Sequence, residues 1–215
     1  MEPIHRQPLA LQVASRIRDL IATDQFPPGT PLKEVNLCKQ LSVSRTPLRE
    51  ALKQLIAEGL VEQIPYRGVV VCNPDQASIE QMLELLGALE GFAGEMACLR
   101  ATPEEIDAIR VLTQQMHETY EKDERLSYYK INQSIHRSIV EFSKNGELIR
   151  SHERLNSRLY RIRFLSNRRT DRWHTAIEEH DAILRNLEQR EGLKLNKLLR
   201  EHLAALVIGV SPLCT

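Results

Sequence analysis

Apolar positions in the first third of the chain recur at helical spacing and are interrupted at regular intervals. Leu9, Val13, Ile17, Leu20 and Ile21 predict a helix beginning at Leu9, with residues 1–8 as a loose arm. Phe26-Pro27-Pro28-Gly29-Thr30-Pro31 stops it and forces a loop. Leu32 re-enters, and residues 34–41 predict a second short helix with Leu37 and Leu41 inward. A tight turn follows, then a third helix. Ser44 is placed to cap that helix through its hydroxyl. Pro47 falls in the first turn, where a missing N–H costs nothing. Leu48, Ala51, Leu52 and Leu55 mark its core face. Arg45, Arg49 and Lys53 recur every four residues on another face and are expected to stay free. Gly59 suits a left-handed C-cap. Leu60 to Ile64 and Val69 to Cys72 read as strands joined by Pro65-Tyr66-Arg67-Gly68. Three helices and a hairpin predict a winged helix-turn-helix with a small β-hairpin wing.

Beyond Asn73-Pro74-Asp75 the period is helical throughout. Helices are predicted near 76–100, 103–122, 126–144, 147–166, 172–190 and 193–209. Thr102-Pro103-Glu104-Glu105 is a helix start: a capping Thr, Pro at the first position, then acids. Asn145-Gly146 separates the third of these helices from the fourth. Short connections imply antiparallel neighbours. The expected fold class is mostly α, with a winged helix-turn-helix over 1–74 and an all-α antiparallel bundle over 75–215.

Composition narrows the picture. Lys and Arg equal Asp and Glu at 29 each. Nine basic residues face seven acids over residues 1–74, and twenty face twenty-two over 75–215. Any nucleic acid is therefore held by a local patch, not by a basic protein as a whole. Cys38, Cys72, Cys98 and Cys214 are scattered, without a Cys-x-x-Cys pair, as expected of reduced, buried thiols in the cytoplasm. No apolar signal core or bilayer-length stretch occurs, so no membrane partner is expected.

A short helix after a tight turn, with arginines near its start, has the geometry of a recognition helix in a DNA major groove. Arg pairs both acceptors of guanine or grips phosphate. Gly68 lets backbone approach DNA closely, and Arg67 suits a narrow minor groove. In the bundle, His136, His180 and His202 each lie on the apolar stripe of their own helix and should point inward. Three converging imidazoles suit a divalent metal with open positions. A hydrogen-bonded core histidine is the commoner outcome, and His152 lies on an apolar stripe too. His117 and His174 look exposed. Arg150, Arg154, Arg158 and Arg161 form a basic stripe that reads as a solvated face. Arg161 or Arg163, near Tyr160 and Phe164, could line a pocket.

Residues Pro28-Gly29-Thr30-Pro31-Leu32, Val43 to Leu52 and Glu58-Gly59-Leu60-Val61 resemble the GntR family of bacterial transcription regulators. The helical remainder resembles the FadR-type C-terminal (FCD) effector domain. The resemblance implies a homodimer on double-stranded, palindromic operator DNA. Ser44, Arg45, Thr46 and Arg49 would face the major groove; Arg67 and Gly68 would enter the minor groove. The family's phosphate-touching arginine of the second helix is replaced by Val35, with Lys33 nearby. The resemblance further implies a divalent metal (Zn, Ni, Mn or Fe) on His136, His180 and His202, with Asn132 in the place of an Asp. Asn is a neutral, weaker ligand. A carboxylic acid effector is implied, although Leu86 replaces an arginine thought to grip a carboxylate. Repression is the family habit.

Two other functions stay open from sequence. A three-His metal site suits a hydrolase, but no carboxylate is evident beside the trio as a general base; Glu178 and Glu179 are turned partly away by helical phase. The chain could also sense the metal itself.

Overall fold

The computed structural model describes residues 8–166 and 170–207. The chain divides into two compact units, Met1–Pro74 and Asp75–Thr215. His5, Cys214 and the last residues of the helix expected to 209 lie outside the described residues.

The first unit is built from α1 (Leu9–Ala22), α2 (Glu34–Leu41), α3 (Arg45–Ala57), β1 (Val61–Ile64) and β2 (Gly68–Val71). Val13, Ile17, Ile21, Leu37, Leu48, Leu52 and Leu55 share one core with Val61 and Val71 of the hairpin. Leu9, expected on the core stripe, is about half exposed at the start of its helix. The turn between α2 and α3 depends on Ser42, which adopts the left-handed conformation (φ 54°). Its neighbour Val43 then returns its N–H to the Cys38 carbonyl. Ser44 occupies the N-cap position of α3, but its side chain makes no capping bond. Gly59 (φ 74°) ends α3. The N–H groups of Gly59 and Leu60 close on the carbonyls of Ile56 and Leu55, which satisfies the last turn.

The strands pair antiparallel with Val61 opposite Val71 and Ile64 opposite Gly68. The segment before α2 joins them: Leu32 donates to Val69 O (2.8 Å), Val71 donates to Thr30 O (3.1 Å), and Pro31 bridges Val70. The proline-rich loop is thus a third edge on the wing. Nothing in its period predicted that, because the pairing is non-local.

The second unit contains α4 (Gln76–Arg100), α5 (Pro103–Glu121), α6 (Arg125–Phe142), α7 (Gly146–Arg158), α8 (Tyr160–Ser166), α9 (Thr170–Glu188) and α10 (Gly192–Val207). Three starts are capped by side chains. Asp75 accepts from Ser78 N–H, and Asn145 accepts from the N–H groups of Glu147 and Leu148. Thr102 and Glu105 form a reciprocal capping box. The helix expected over 147–166 is instead two, broken at Leu159. The break leaves the Tyr160 carbonyl to accept from Tyr129 Oη (2.6 Å). Cys98 is buried, and burial pushes its thiol up to about 11. Cys38 and Cys72 are only half-buried, contrary to expectation, because each falls beside and not on its core stripe.

The longest helix, α4, lies against α10. Gly87 faces Arg200 and Leu203, while Gly94 faces Leu195 and Leu199, so the two run antiparallel. A Cβ at Gly94 would lie 2.6 Å from Leu199 Cδ1 and 2.9 Å from Leu195 Cγ. The side chains of Leu195 and Leu199 thus occupy the space a Cβ would take, and both would have to shift to admit one. Gly94→Val should cost about 1–3 kcal/mol by overpacking this contact. Urea unfolding followed by fluorescence of Trp173, the sole tryptophan and buried in this unit, measures it.

Candidate functional site

In the first unit, Ser44, Arg45 and Thr46 are exposed at the start of α3, where their side chains can meet a groove. Arg49 lies one turn on, but it is not free as expected. Its Nε donates to Glu34 on α2 (2.9 Å). The pair is well exposed, so its net strength is about 0–1 kcal/mol and a phosphate or guanine competes with it readily. Val35 is exposed on α2, as is neighbouring Lys33. Arg67 and Gly68 are exposed at the wing tip. They are joined there by Tyr66, fully exposed and left-handed (φ 62°). A bulky residue with positive φ is uncommon, and no spacing rule marked Tyr66 in the sequence.

In the second unit, α6, α9 and α10 bring His136, His180 and His202 together. One ring nitrogen from each lies within 4.8 Å of the others, and all three side chains are buried. The rings of His136 and His202 stack at 5.0 Å, and His180 stands edge-on to both. Asn132 is buried beside them, its Nδ2 3.4 Å from His180 Nε2.

The outer nitrogens are all engaged. His136 Nδ1 donates to Glu90 Oε2 (2.5 Å), His180 Nδ1 donates to the Ala176 carbonyl (2.6 Å), and His202 Nδ1 donates to Glu179. A carboxylate or carbonyl oxygen only accepts, so each Nδ1 carries the hydrogen. In a neutral ring Nε2 is then the lone-pair nitrogen, and His136 and His180 bring these atoms to 3.3 Å. Burial pushes His136 down to about 4, only partly countered by Glu90, so the ring is neutral at pH 7. The donor set fits a divalent cation: neutral imidazoles oriented from outside by two carboxylates and a carbonyl. A half-turn of the Asn132 amide would present Oδ1 in place of Nδ2.

Two residues of this arrangement were missed in sequence. The expectation that no carboxylate stands beside the trio is corrected by Glu90 and Glu179. Glu179 is the residue before His180, yet it reaches His202 on α10, because helical phase turns it away from its own neighbour and toward the next helix. Glu90 lies on α4, far from the trio in sequence; its place in an apolar stripe beside Leu86 and Leu89 was the available signal.

Glu90 also accepts from His152 Nε2 (3.0 Å) and Arg163 Nη1 (3.1 Å). Burial alone would raise its pKa. The His136 ring when protonated, the Arg163 guanidinium, and the hydrogen bonds from His136 and His152 overcome this and hold it well below the usual carboxylate range. Arg163 continues to Asn156 Oδ1 (2.6 Å), and Asn156 Nδ2 donates to Gln133 Oε1 (2.9 Å). Arg161, two residues away on α8, is half-buried. Arg150, Arg154 and Arg158 are exposed, as a solvated face should be. His152 is a hydrogen-bonded core histidine, His174 is exposed, and His117 is half-exposed against Asp181 (2.9 Å).

A winged helix-turn-helix and a helical bundle with a buried histidine cluster define a class: DNA-binding regulators with a second, all-helical unit. Residues 9–71 match the bacterial regulatory proteins of the gntR family, and residues 81–205 match the FCD domain. The chain belongs to the GntR family, in its FadR-like branch, and is a transcriptional regulator. It is 33% identical over 159 residues to the Nta operon transcriptional regulator of Aminobacter aminovorans, spanning 74% of this chain and 72% of that one. It is 29% identical over 197 residues to a Paenarthrobacter nicotinovorans protein named "Probable D-xylose utilization operon transcriptional repressor", spanning 90% and 86%. The solved structure of E. coli McbR/YncC matches with a TM-score of 0.78 at 22% identity, over 94% of this chain and 98% of that chain, and shares the fold. The family and these relatives are regulators, not enzymes, which removes the hydrolase reading.

Removing one partner of a buried ion pair strands the other. Glu90→Ala should therefore destabilise the bundle by about 3–5 kcal/mol, by leaving Arg163 uncompensated. Glu90→Leu combined with Arg163→Met should recover most of that loss. Urea unfolding monitored at Trp173 compares the two.

Proposed function

We propose that this chain is an operator-binding repressor, a homodimer acting in the cytoplasm, whose DNA affinity is set by a carboxylic acid bound at a metal centre in the bundle. One observation carries the reading: three buried imidazoles share a centre, and each has its Nδ1 turned outward onto a fixed acceptor. Packing alone does not require that all three inner nitrogens be lone pairs, whereas a cation does. His136, His180 and His202 would hold Zn, Ni, Mn or Fe, with Asn132 as a weak fourth ligand. Such an ion supplies a Lewis-acidic centre for carboxylate oxygens. Arg163, reaching Glu90 one turn beyond Leu86, places a guanidinium in the same interior. Arg161, half-buried on the same short helix, is a second candidate for the pocket.

At the DNA end, Ser44, Arg45, Thr46 and Arg49 would face the major groove, with Arg67 and Gly68 at the minor groove. An operator with two-fold symmetry calls for a dimer. An acid that binds one arrangement of the dimer better than another shifts DNA affinity by that difference alone.

Elemental mass spectrometry on untagged protein purified without chelator tests the metal reading. About one divalent ion per chain is expected, and its loss in His180→Ala. Protein that stays metal-free after exposure to Zn and Ni would overturn it. Metal present with operator affinity that follows free metal alone, and no response to any acid, would favour a direct metal sensor.

The DNA reading has its own test. Against a duplex selected from a random pool by the wild-type protein, Arg49→Ala should lose about 1–3 kcal/mol if Arg49 reads a base. Unchanged binding in a fluorescence anisotropy titration would remove that role.

A further inference from the structure

The polar chain that begins at His136 ends in atoms that no described residue satisfies. Glu90 links His136 to His152 and Arg163; Arg163 links to Asn156, and Asn156 to Gln133. Every amide and ring orientation along it is fixed by these bonds. Asn156 Nδ2 donates to Gln133 Oε1, so Gln133 Nε2 is left as a donor. Glu90 accepts from His152 Nε2, so His152 Nδ1 is left as an acceptor. Both leftover atoms are buried with no hydrogen-bond partner among the described residues. Gln133 is 4% exposed and His152 is 1% exposed. A buried polar atom without a partner costs about 1–3 kcal/mol, and native interiors leave few of them.

The two atoms belong together. His152 and Asn156 are one turn apart on α7, and Gln133 is bonded to Asn156. Gln133 is also the residue after Asn132 and lies one turn before His136 on α6. The orphaned donor and acceptor therefore flank the same network that orients a member of the histidine trio. A hydroxyl group is complementary to both kinds of atom: it can accept from a donor such as Gln133 Nε2 and donate to an acceptor such as His152 Nδ1. A carboxylate could serve only the first, and a methylene neither.

We propose that Gln133 and His152 form a hydroxyl-binding subsite beside the histidine trio, so that the effector is a hydroxylated carboxylic acid rather than a plain one. This rests on the carboxylic acid reading above and names the second group that the acid carries. The subsite acts by discrimination. A site built to hydrogen-bond a hydroxyl rejects the analogue without it, because its own buried groups are then left unpaired.

The test is isothermal titration calorimetry on the full-length, Zn-loaded protein with matched acids: malate and succinate, 4-hydroxybutyrate and butyrate, gluconate and hexanoate. At least one hydroxy acid should bind about a hundredfold more tightly than its deoxy partner. Gln133→Leu should bring that ratio close to one, with the Zn content unchanged. Gln133→Glu retains an oxygen for Asn156 and replaces the donor by an acceptor; it should lose the preference too, which separates donor loss from damage to the network. Equal binding within every pair, or a preference that survives both variants, would overturn the subsite, as expected if a water fills that place. Zn-loaded protein that binds none of these acids would instead overturn the effector reading itself.

Discussion

Glu90 is the constraint on which the interior of the helical unit depends. A carboxylate taken wholly out of water is stable only if its charge is met and its oxygens are bonded. Three side chains do this from three other helices: His136 from α6, His152 from α7 and Arg163 from α8. The requirement runs in both directions. Arg163 is itself buried and needs an anion, and the short, separate α8 delivers it to Glu90. His136 gains a fixed ring orientation from Oε2, while Oε1 serves the other two. The apolar clusters on either side could be met by many sequences, but this junction fixes the angular position of four helices at once.

How much of this was legible in the sequence follows from the range of each interaction. Local signals were readable. Thr102 and Glu105 lie three apart and cap as their spacing says, and Gly59 ends α3 as a left-handed C-cap should. Periodicity placed His136, His180 and His202 on inward faces, because helical phase is local. Periodicity cannot say which inward faces meet. Glu90 sat within an apolar stripe and Glu179 within an acidic pair, and neither position shows that its partner is a histidine on another helix. The break at Leu159 was hidden for a related reason: no Gly or Pro marks it, and a tertiary bond from Tyr129 to the Tyr160 carbonyl accompanies it. Arg49 was read as free because its partner, Glu34, lies on the preceding helix, fifteen residues away.

The first unit shows how a chain of zero net charge can belong to a DNA-binding family. The helical core faces inward through Leu48, Leu52 and Leu55, and this leaves the opposite surface of α3 to polar groups. Arg45 is presented there by backbone geometry and not by electrostatic excess. Two left-handed residues without the freedom of glycine, Ser42 before α3 and Tyr66 at the wing, set the angles at which α3 and the wing tip leave the core. Such conformations persist only where surrounding bonds over-determine them. Here the Val43 N–H to Cys38 carbonyl bond holds the first, and the Arg67 N–H to Ile64 carbonyl bond holds the second. Val35 carries no charge to meet a phosphate, and Arg49 is paired with Glu34. A protein so arranged would neutralise few phosphates and release few counterions, so its affinity should fall less steeply with salt than that of a strongly basic binder.

The substitution of Asn132 for an Asp bears on charge as well as on ligand strength. The negative charge of Glu90 is answered by Arg163, so it orients His136 without adding a net anion to the trio. Glu179 is the remaining carboxylate in contact with it. A divalent ion at three neutral imidazoles and a neutral amide would therefore keep a positive excess that an Asp would have reduced. An anionic effector is the natural complement of that excess, since ligand and ion then stabilise each other in a low-dielectric interior. By the reciprocity of coupled binding, an acid that binds better with metal present must tighten the metal by the same factor. A weak fourth ligand would thus make a metal and an anionic effector at this site more interdependent than a carboxylate ligand would.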